Sequence, residues 1–193
     1  MTDRGGIAAR AEIVFVVQAT TTSQLRAAFP SPDDEVAPSG LQLCRRSSLH
    51  PGRHEVLSAP EPTCAQTVAA VGWSPPRIVP DLRDLAPGEW QGRELTSLSP
   101  DQFRRWRAGE APPGGESLAD LCERIRDFVD GVGGGRYVAV VSQAVARAAV
   151  VAALGLPVAS VWNVDAEPLS TIAVARRADG ELRLRLITGT GPR

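Results

Sequence analysis

Ala11-Glu12-Ile13-Val14-Phe15-Val16-Val17 is apolar everywhere but at Glu12, and it is followed at once by Gln18-Ala19-Thr20-Thr21-Thr22. A run this short, this apolar and this rich in β-branched residues fits a strand buried on both faces, which is a central strand of a parallel or mixed sheet. The polar tail after it then belongs to the loop where such a strand ends, the usual place for a binding site in a sheet of this kind.

Outward from that strand, the chain alternates strand and helix signals. Pro30-Ser31-Pro32-Asp33-Asp34 breaks all periodicity, and a helix is expected over Gly40 to Arg46, ending before His50-Pro51-Gly52. A short strand is expected at Glu55 to Leu57, a helix over Cys64 to Val71 closed by Gly72, and a short extended piece at Arg77 to Val79. Ser99-Pro100-Asp101-Gln102 combines an N-cap serine, a first-turn proline and a capping-box glutamine, so a helix is expected to about Ala108. Ser117 caps the clearest helix, with Leu118, Leu121, Cys122, Ile125, Phe128 and Val129 on one face. A second buried strand follows at Tyr137 to Ser142, then an alanine-rich helix from Ala144 to Leu154 stopped by Gly155 and Pro157. Leu169 to Arg176 and Leu182 to Ile187 flank Asp179-Gly180 and read as a hairpin near a sheet edge. The pattern predicts one α/β domain over residues 1 to 193, a three-layer α/β/α sandwich on a mostly parallel central sheet.

Composition narrows the function classes. Of 193 residues, 43% are hydrophobic and 22% charged, and the formal net charge is -1, so no long-range field draws in nucleic acid or anionic lipid. All 21 basic residues are arginine. Cys44, Cys64 and Cys122 are odd in number and show no metal-ligand spacing, so neither a disulfide framework, a metal nor a cofactor is expected. Met1 to Ala11 has no apolar leader core and Ile13 to Val17 is too short to span a bilayer, which points to a cytoplasmic protein without a membrane partner.

Several segments resemble the histidine phosphatase (phosphoglycerate mutase-like) superfamily, in order and at fitting intervals. Leu82-Arg83-Asp84 with Gly88-Glu89-Trp90-Gln91-Gly92 is similar to its L-x-E, G-x-W-x-G segment, and Pro113-Gly114-Gly115-Glu116-Ser117 to its P-G-G-E-S helix entry. Ser58-Ala59-Pro60 through Ala65-Gln66-Thr67 resembles S-S-P leading to Q-T-A, and Val140-Val141-Ser142-Gln143-Ala144 with Arg147 resembles V-S-H-G and the arginine after it. The resemblance implies a phosphohistidine chemistry that needs a nucleophilic histidine, a second histidine and two arginines around the phosphoryl group. At those positions this chain has Ala19, Gln143, Gln18 and Thr63; Thr20 stands for the glycine of R-H-G and Leu25 for a downstream asparagine. Alanine has no nucleophilic atom, and glutamine does not titrate near neutral pH. The two histidines, His50 and His54, fall at neither motif position.

The resemblance therefore implies a degenerate member without phosphoryl transfer. Asp84, at the acid position, is the candidate general acid or base, its pKa raised by the loss of cationic neighbours, with a loop-capping aspartate as the bland alternative. Glu89 is expected to face solvent. Gln18, Thr20, Thr22, Ser58, Thr63 and Gln143 are the candidate ligand-binding residues; these replacements keep polarity while deleting charge, which suits a neutral small molecule. Cys64 is either a helix-start thiolate or a buried packing residue, Cys122 packing alone, and Arg147 a rim cation or a solvated helix residue. Trp73, Trp90, Trp106 and Trp162 read as core or rim aromatics. Two functional readings lead: a pseudoenzyme whose cleft binds a neutral ligand or serves a protein partner, and a repurposed isomerase, cyclase or lyase of a small metabolite, in a biosynthetic setting, acting through Asp84; a purely structural subunit is the third. A homodimer through a sheet edge fits either.

Overall fold

Side chains from Ile13 to Val17 are at most 1% exposed, and burial of each contributes about 1.5 to 3 kcal/mol. In the computed structural model, which describes residues 9 to 185, this run is β1 (Ala11–Val17), in the middle of a six-stranded sheet. The other strands are β2 (Glu55–Ser58), β3 (Arg77–Ile78), β4 (Gly135–Val141), β5 (Thr171–Arg176) and β6 (Leu182–Arg185), in the order β3-β2-β4-β1-β5-β6. β3, β2, β4 and β1 are parallel; β5 and β6 continue the sheet antiparallel. The expected hairpin is thus present as the β5–β6 pair, with Gly180 at φ +82° in its turn. Ile187 lies outside the described residues.

The helices are α1 (Thr22–Leu25), α2 (Pro38–Arg46), α3 (Pro62–Ala70), α4 (Pro100–Arg107), α5 (Leu118–Gly131) and α6 (Gln143–Leu154). Right-handed crossovers sort them into layers. The chain moves from β1 to β2 to β3 toward one edge, placing α2 and α3 on one face, then returns from β3 to β4, placing α5 on the other. Packing of α2 on α3 and of α5 on α6 agrees with this. α5 carries the predicted apolar face, with Leu118, Leu121, Cys122, Ile125 and Val129 buried. Helix starts differ by a residue or two from expectation: Pro62 rather than Cys64 opens α3, and Ser142 leaves the strand to become the N-cap of α6. α1 was not expected, although Thr21 and Gln24 have the spacing of the capping box they form. No helix among the described residues is long and apolar enough to cross a membrane.

One buried charge ties the layers together. Arg176, 6% exposed at the end of β5, donates to the carbonyls of Val129 at 2.7 Å and Val132 at 2.6 Å, to that of Asp130, and twice to Ala9 O. It satisfies the otherwise orphaned carbonyls at the C-terminus of α5, where the helix dipole also favours a cation. Arg176→Met strands those carbonyls and is expected to cost about 3 kcal/mol. Arg185→Gln, which breaks the exposed bridge to Glu12, is expected to cost under about 0.5 kcal/mol. Urea midpoints of the two variants test this; equal, small losses would rule out the structural role of Arg176.

Candidate functional site

The parallel strands β1, β2 and β4 end together. Val17 is level with Val141 and Ser58 with Val140, Gln18 N donates to Val141 O at 2.8 Å, and Ala59 N donates to Val140 O at 2.9 Å. The segments after these strands, Gln18 to Thr22, Ala59 to Thr63 and Ser142 to Gln143, therefore converge at one end of the sheet. His54 precedes β2 at the other end, where the charges of Glu12 and Arg136 bear on it, and its Nδ1 hydrogen-bonds to Pro51 O at 2.9 Å. His50 lies in the same loop before β2.

At the converged end is a cavity of about 250 Å³, walled by Gln18, Thr63, Glu61, Asp84 and Asp34, with prolines from the segment 30–32 opposite. Gln18 is 6% exposed, and its Oε1 accepts from Thr63 Oγ1 at 2.6 Å and from the Cys64 thiol at 3.1 Å. The two residues that the sequence resemblance sets at arginine positions bond to each other as a neutral pair. With Oε1 occupied, the amide nitrogen is the group Gln18 offers to the cavity. Ala19 is fully buried and anchored by its N–H to Thr67 Oγ1 at 3.1 Å.

Asp84 reaches the cavity on the loop after Leu82, a side chain with no exposure. Its Oδ1 accepts from Ser142 Oγ at 2.5 Å and from Leu85 N at 2.8 Å, while its own N–H donates to Glu61 Oε1 at 2.9 Å. Burial pushes its pKa up to about 6, with the Glu61 charge adding to it and the hydrogen bonds and Arg124 opposing. The loop is held from outside: Glu116 binds Arg124 through both its oxygens, at 2.9 and 2.7 Å, and Arg124 donates to the carbonyls of Asp81 at 2.7 Å and Arg83 at 3.0 Å. Gly88 is required here, since at φ +53° a Cβ would lie 2.2 Å from Pro113 O. This lets the 113–115 turn close onto the Asp84 loop.

The remaining expected residues divide. Thr22 Oγ1 donates to Asp34 Oδ1 at 2.7 Å. Burial works to raise the Asp34 pKa, but this bond and those from Ser23 and Thr21 outweigh it and hold the carboxyl below its ordinary value. Ser58 is wholly buried and donates to Ala59 O at 2.8 Å, and it does not line the cavity. Thr20 and Gln143 are half-buried, are not among the cavity's lining residues, and their side chains bond to no described residue. Thr20 O instead receives Ala37 N at 2.8 Å, a close approach possible because residue 40 is glycine: a Cβ there would sit 2.6 Å from that oxygen. Glu89 is exposed, as expected. Cys64 is fully buried and burial, with Glu61 and Asp84, drives its thiol pKa well above normal, so the packing alternative holds and the thiolate one does not. Glu61 and Ser142, the partners of Asp84, were not singled out from the sequence; Glu61 carried no motif of its own, and Ser142 signalled only a helix cap.

A carboxyl whose folded pKa lies above its unfolded one makes folding less favourable once it ionises, so stability falls as pH rises from about 4 through about 6. Asp84→Asn is therefore expected to raise the unfolding free energy by about 1 to 2 kcal/mol at pH 8 and to leave it unchanged at pH 4. A destabilised variant at pH 8 in urea denaturation would contradict the assignment.

The model of the histidine phosphatase superfamily, branch 1, matches residues 45–188 of the chain. No curated protein sequence matches it. Among solved structures, the protein TTHB049 from Thermus thermophilus is 26% identical, with a TM-score of 0.70 over 92% of this chain and 99% of that one. Mycobacterial hydrolase 1 is 21% identical, with a TM-score of 0.71 over 94% and 99%. A mycobacterial glucosyl-3-phosphoglycerate phosphatase in complex with VO3 is 21% identical, with a TM-score of 0.70 over 91% and 97%. With well over half of its length under the family model, and with these structures sharing its fold, the chain belongs to the histidine phosphatase superfamily.

Proposed function

We propose that this chain keeps the histidine phosphatase architecture without its phosphoryl transfer, and that the cavity beside Gln18 binds a neutral small organic molecule. The observation that carries this reading is the Gln18 Oε1 bond to Thr63 and Cys64. A phosphoryl group brings close to two negative charges, and the positions aligned with its arginine clamps are spent on a neutral hydrogen bond with each other. The walls add to the mismatch: Asp34, Glu61 and Asp84 face the cavity against the single cation Arg83. Like charges about 4 Å apart at an effective dielectric of 20 repel by about 4 kcal/mol, so a dianion is disfavoured where an uncharged ligand is not. Ala19 supplies no nucleophile in place of the missing imidazole. The family model matches from residue 45 onward, leaving the segment around Ala19 outside the match.

A second reading is favoured by one specific feature. Asp84, with its pKa near 6 and its Oδ1 fixed by Ser142, is tuned for proton transfer near neutral pH. In that reading the cavity isomerises, cyclises or eliminates from a small metabolite, Asp84 moving the proton.

Incubation with p-nitrophenyl phosphate is expected to release nitrophenol no faster than buffer, and 31P spectroscopy of the protein is expected to show no phosphoramidate. Saturable hydrolysis, or a phosphorylated His50 or His54, would overturn the proposal. Between the two readings, Asp84→Asn decides: retained affinity with lost turnover of a cavity ligand favours the catalyst, while a ligand that the wild-type chain binds and never converts favours the binding protein.

A further inference from the structure

Two independent links hold Gln18 and Asp84 side by side on the cavity wall. On the sheet, Gln18 N donates to Val141 O at 2.8 Å, and the next residue, Ser142, donates its hydroxyl to Asp84 Oδ1 at 2.5 Å. At the start of α3, Thr63 Oγ1 donates to Gln18 Oε1 at 2.6 Å, while Glu61, two residues earlier, receives Asp84 N on its Oε1 at 2.9 Å. Each of the two side chains has one polar atom left over. Gln18 Oε1 is taken by Thr63 and Cys64, and Asp84 Oδ1 by Ser142 and Leu85, whereas Gln18 Nε2 and Asp84 Oδ2 bond to no described residue. Neither atom is sealed in the interior, unlike Glu61 Oε2, and both residues wall the cavity. The cavity therefore presents one N–H donor and one carboxyl oxygen next to each other.

This pair restricts what can satisfy it. Above a pH of about 6 Asp84 is a carboxylate and only accepts, so a ligand must bring an acceptor for Gln18 and a donor for Asp84 on one edge. A carboxylate ligand has no donor to give, and an ammonium leaves the Gln18 N–H without an acceptor. An open-chain secondary amide is trans and turns its C=O and N–H to opposite edges. A primary carboxamide or a lactam carries both on the same edge. Pro30, Pro32, Pro62, Leu85 and Pro87 supply apolar wall for the rest of such a molecule, in a cavity of about 250 Å³ that suits a small one.

We propose that the ligand of this cavity is a small primary carboxamide or lactam, its carbonyl oxygen accepting from Gln18 Nε2 and its syn N–H donating to Asp84 Oδ2. This rests on the reading of the cavity as the binding site of a neutral molecule and names the chemical class of that molecule.

The test is titration of the full chain at pH 8 with four probes of nearly equal shape, benzamide, acetophenone, benzoate and benzylamine, read from the 1H–15N resonances of Gln18, Thr63, Asp84 and Leu85. Benzamide is expected to shift them saturably, and acetophenone, which keeps the carbonyl and lacks the N–H, to bind about tenfold more weakly, the loss of one charge-assisted hydrogen bond. In Asp84→Asn, Ser142 and Leu85 keep the side-chain oxygen and an NH2 takes the place of Oδ2, so benzamide is expected to weaken about tenfold while acetophenone does not. Acetophenone binding as tightly as benzamide, or an equal loss for both in Asp84→Asn, would overturn the inference and leave the neutral-ligand reading in place. Benzoate or benzylamine binding more tightly than either neutral probe would overturn that reading together with the inference, and benzamide shifting none of the four resonances would overturn the inference.

Discussion

The parallel pairing of β1 with β4 is the constraint from which the site follows. Because Val17 is level with Val141, the chain leaves both strands at the same height, and the carbonyl of Val141 takes the N–H of Gln18. A slip of one residue would exchange the side chains packed on the two faces of β1, both of which are core, and so undo the packing of each. Gln18, Thr63, Asp84 and Ser142 meet because four separate segments are clamped to that shared end.

What converges there is a set of polar groups that mostly satisfy one another. Gln18 with Thr63, Thr22 with Asp34, and Asp84 with Ser142 are three bonds that would each be costly to leave unmade in a closed interior. They reduce the number of free groups to a few: the Gln18 amide nitrogen, one oxygen of Asp84, and Glu61 Oε2, which is buried without a partner. In the proposed reading, a cavity with a donor, acidic acceptors and a single arginine on its wall would recognise an uncharged ligand by hydrogen bonding.

Rigidity of the site is supplied at a distance. Glu116 does not itself line the cavity, yet it pairs with the lining Arg83 at 3.3 Å and through Arg124 holds the carbonyls of residues 81 and 83, and so sets where Asp84 sits. The close approach of the 113–115 turn to Gly88 completes that support. This gives the P-G-G-E-S segment a mechanical role that does not depend on phosphoryl chemistry.

The strands, the capped helices and the family were legible in the chain itself, because a buried strand needs an apolar run, a helix start needs an N-cap, and both leave local marks at Ala11–Val17, Ser99 and Ser117. That Ala19, Gln143, Gln18 and Thr63 stand at the family's histidine and arginine positions is part of the proposed reading, and it rests on the resemblance of the sequence. Partnership was not legible in the chain. That Ser142 serves Asp84, that Glu61 stands beside it, that Ser58 turns away from the cavity, and that Trp106 meets Trp162 all depend on distances between segments far apart in sequence. Local patterns record the period of a helix or strand; which side chains face each other across layers is settled only when register and packing bring the layers together.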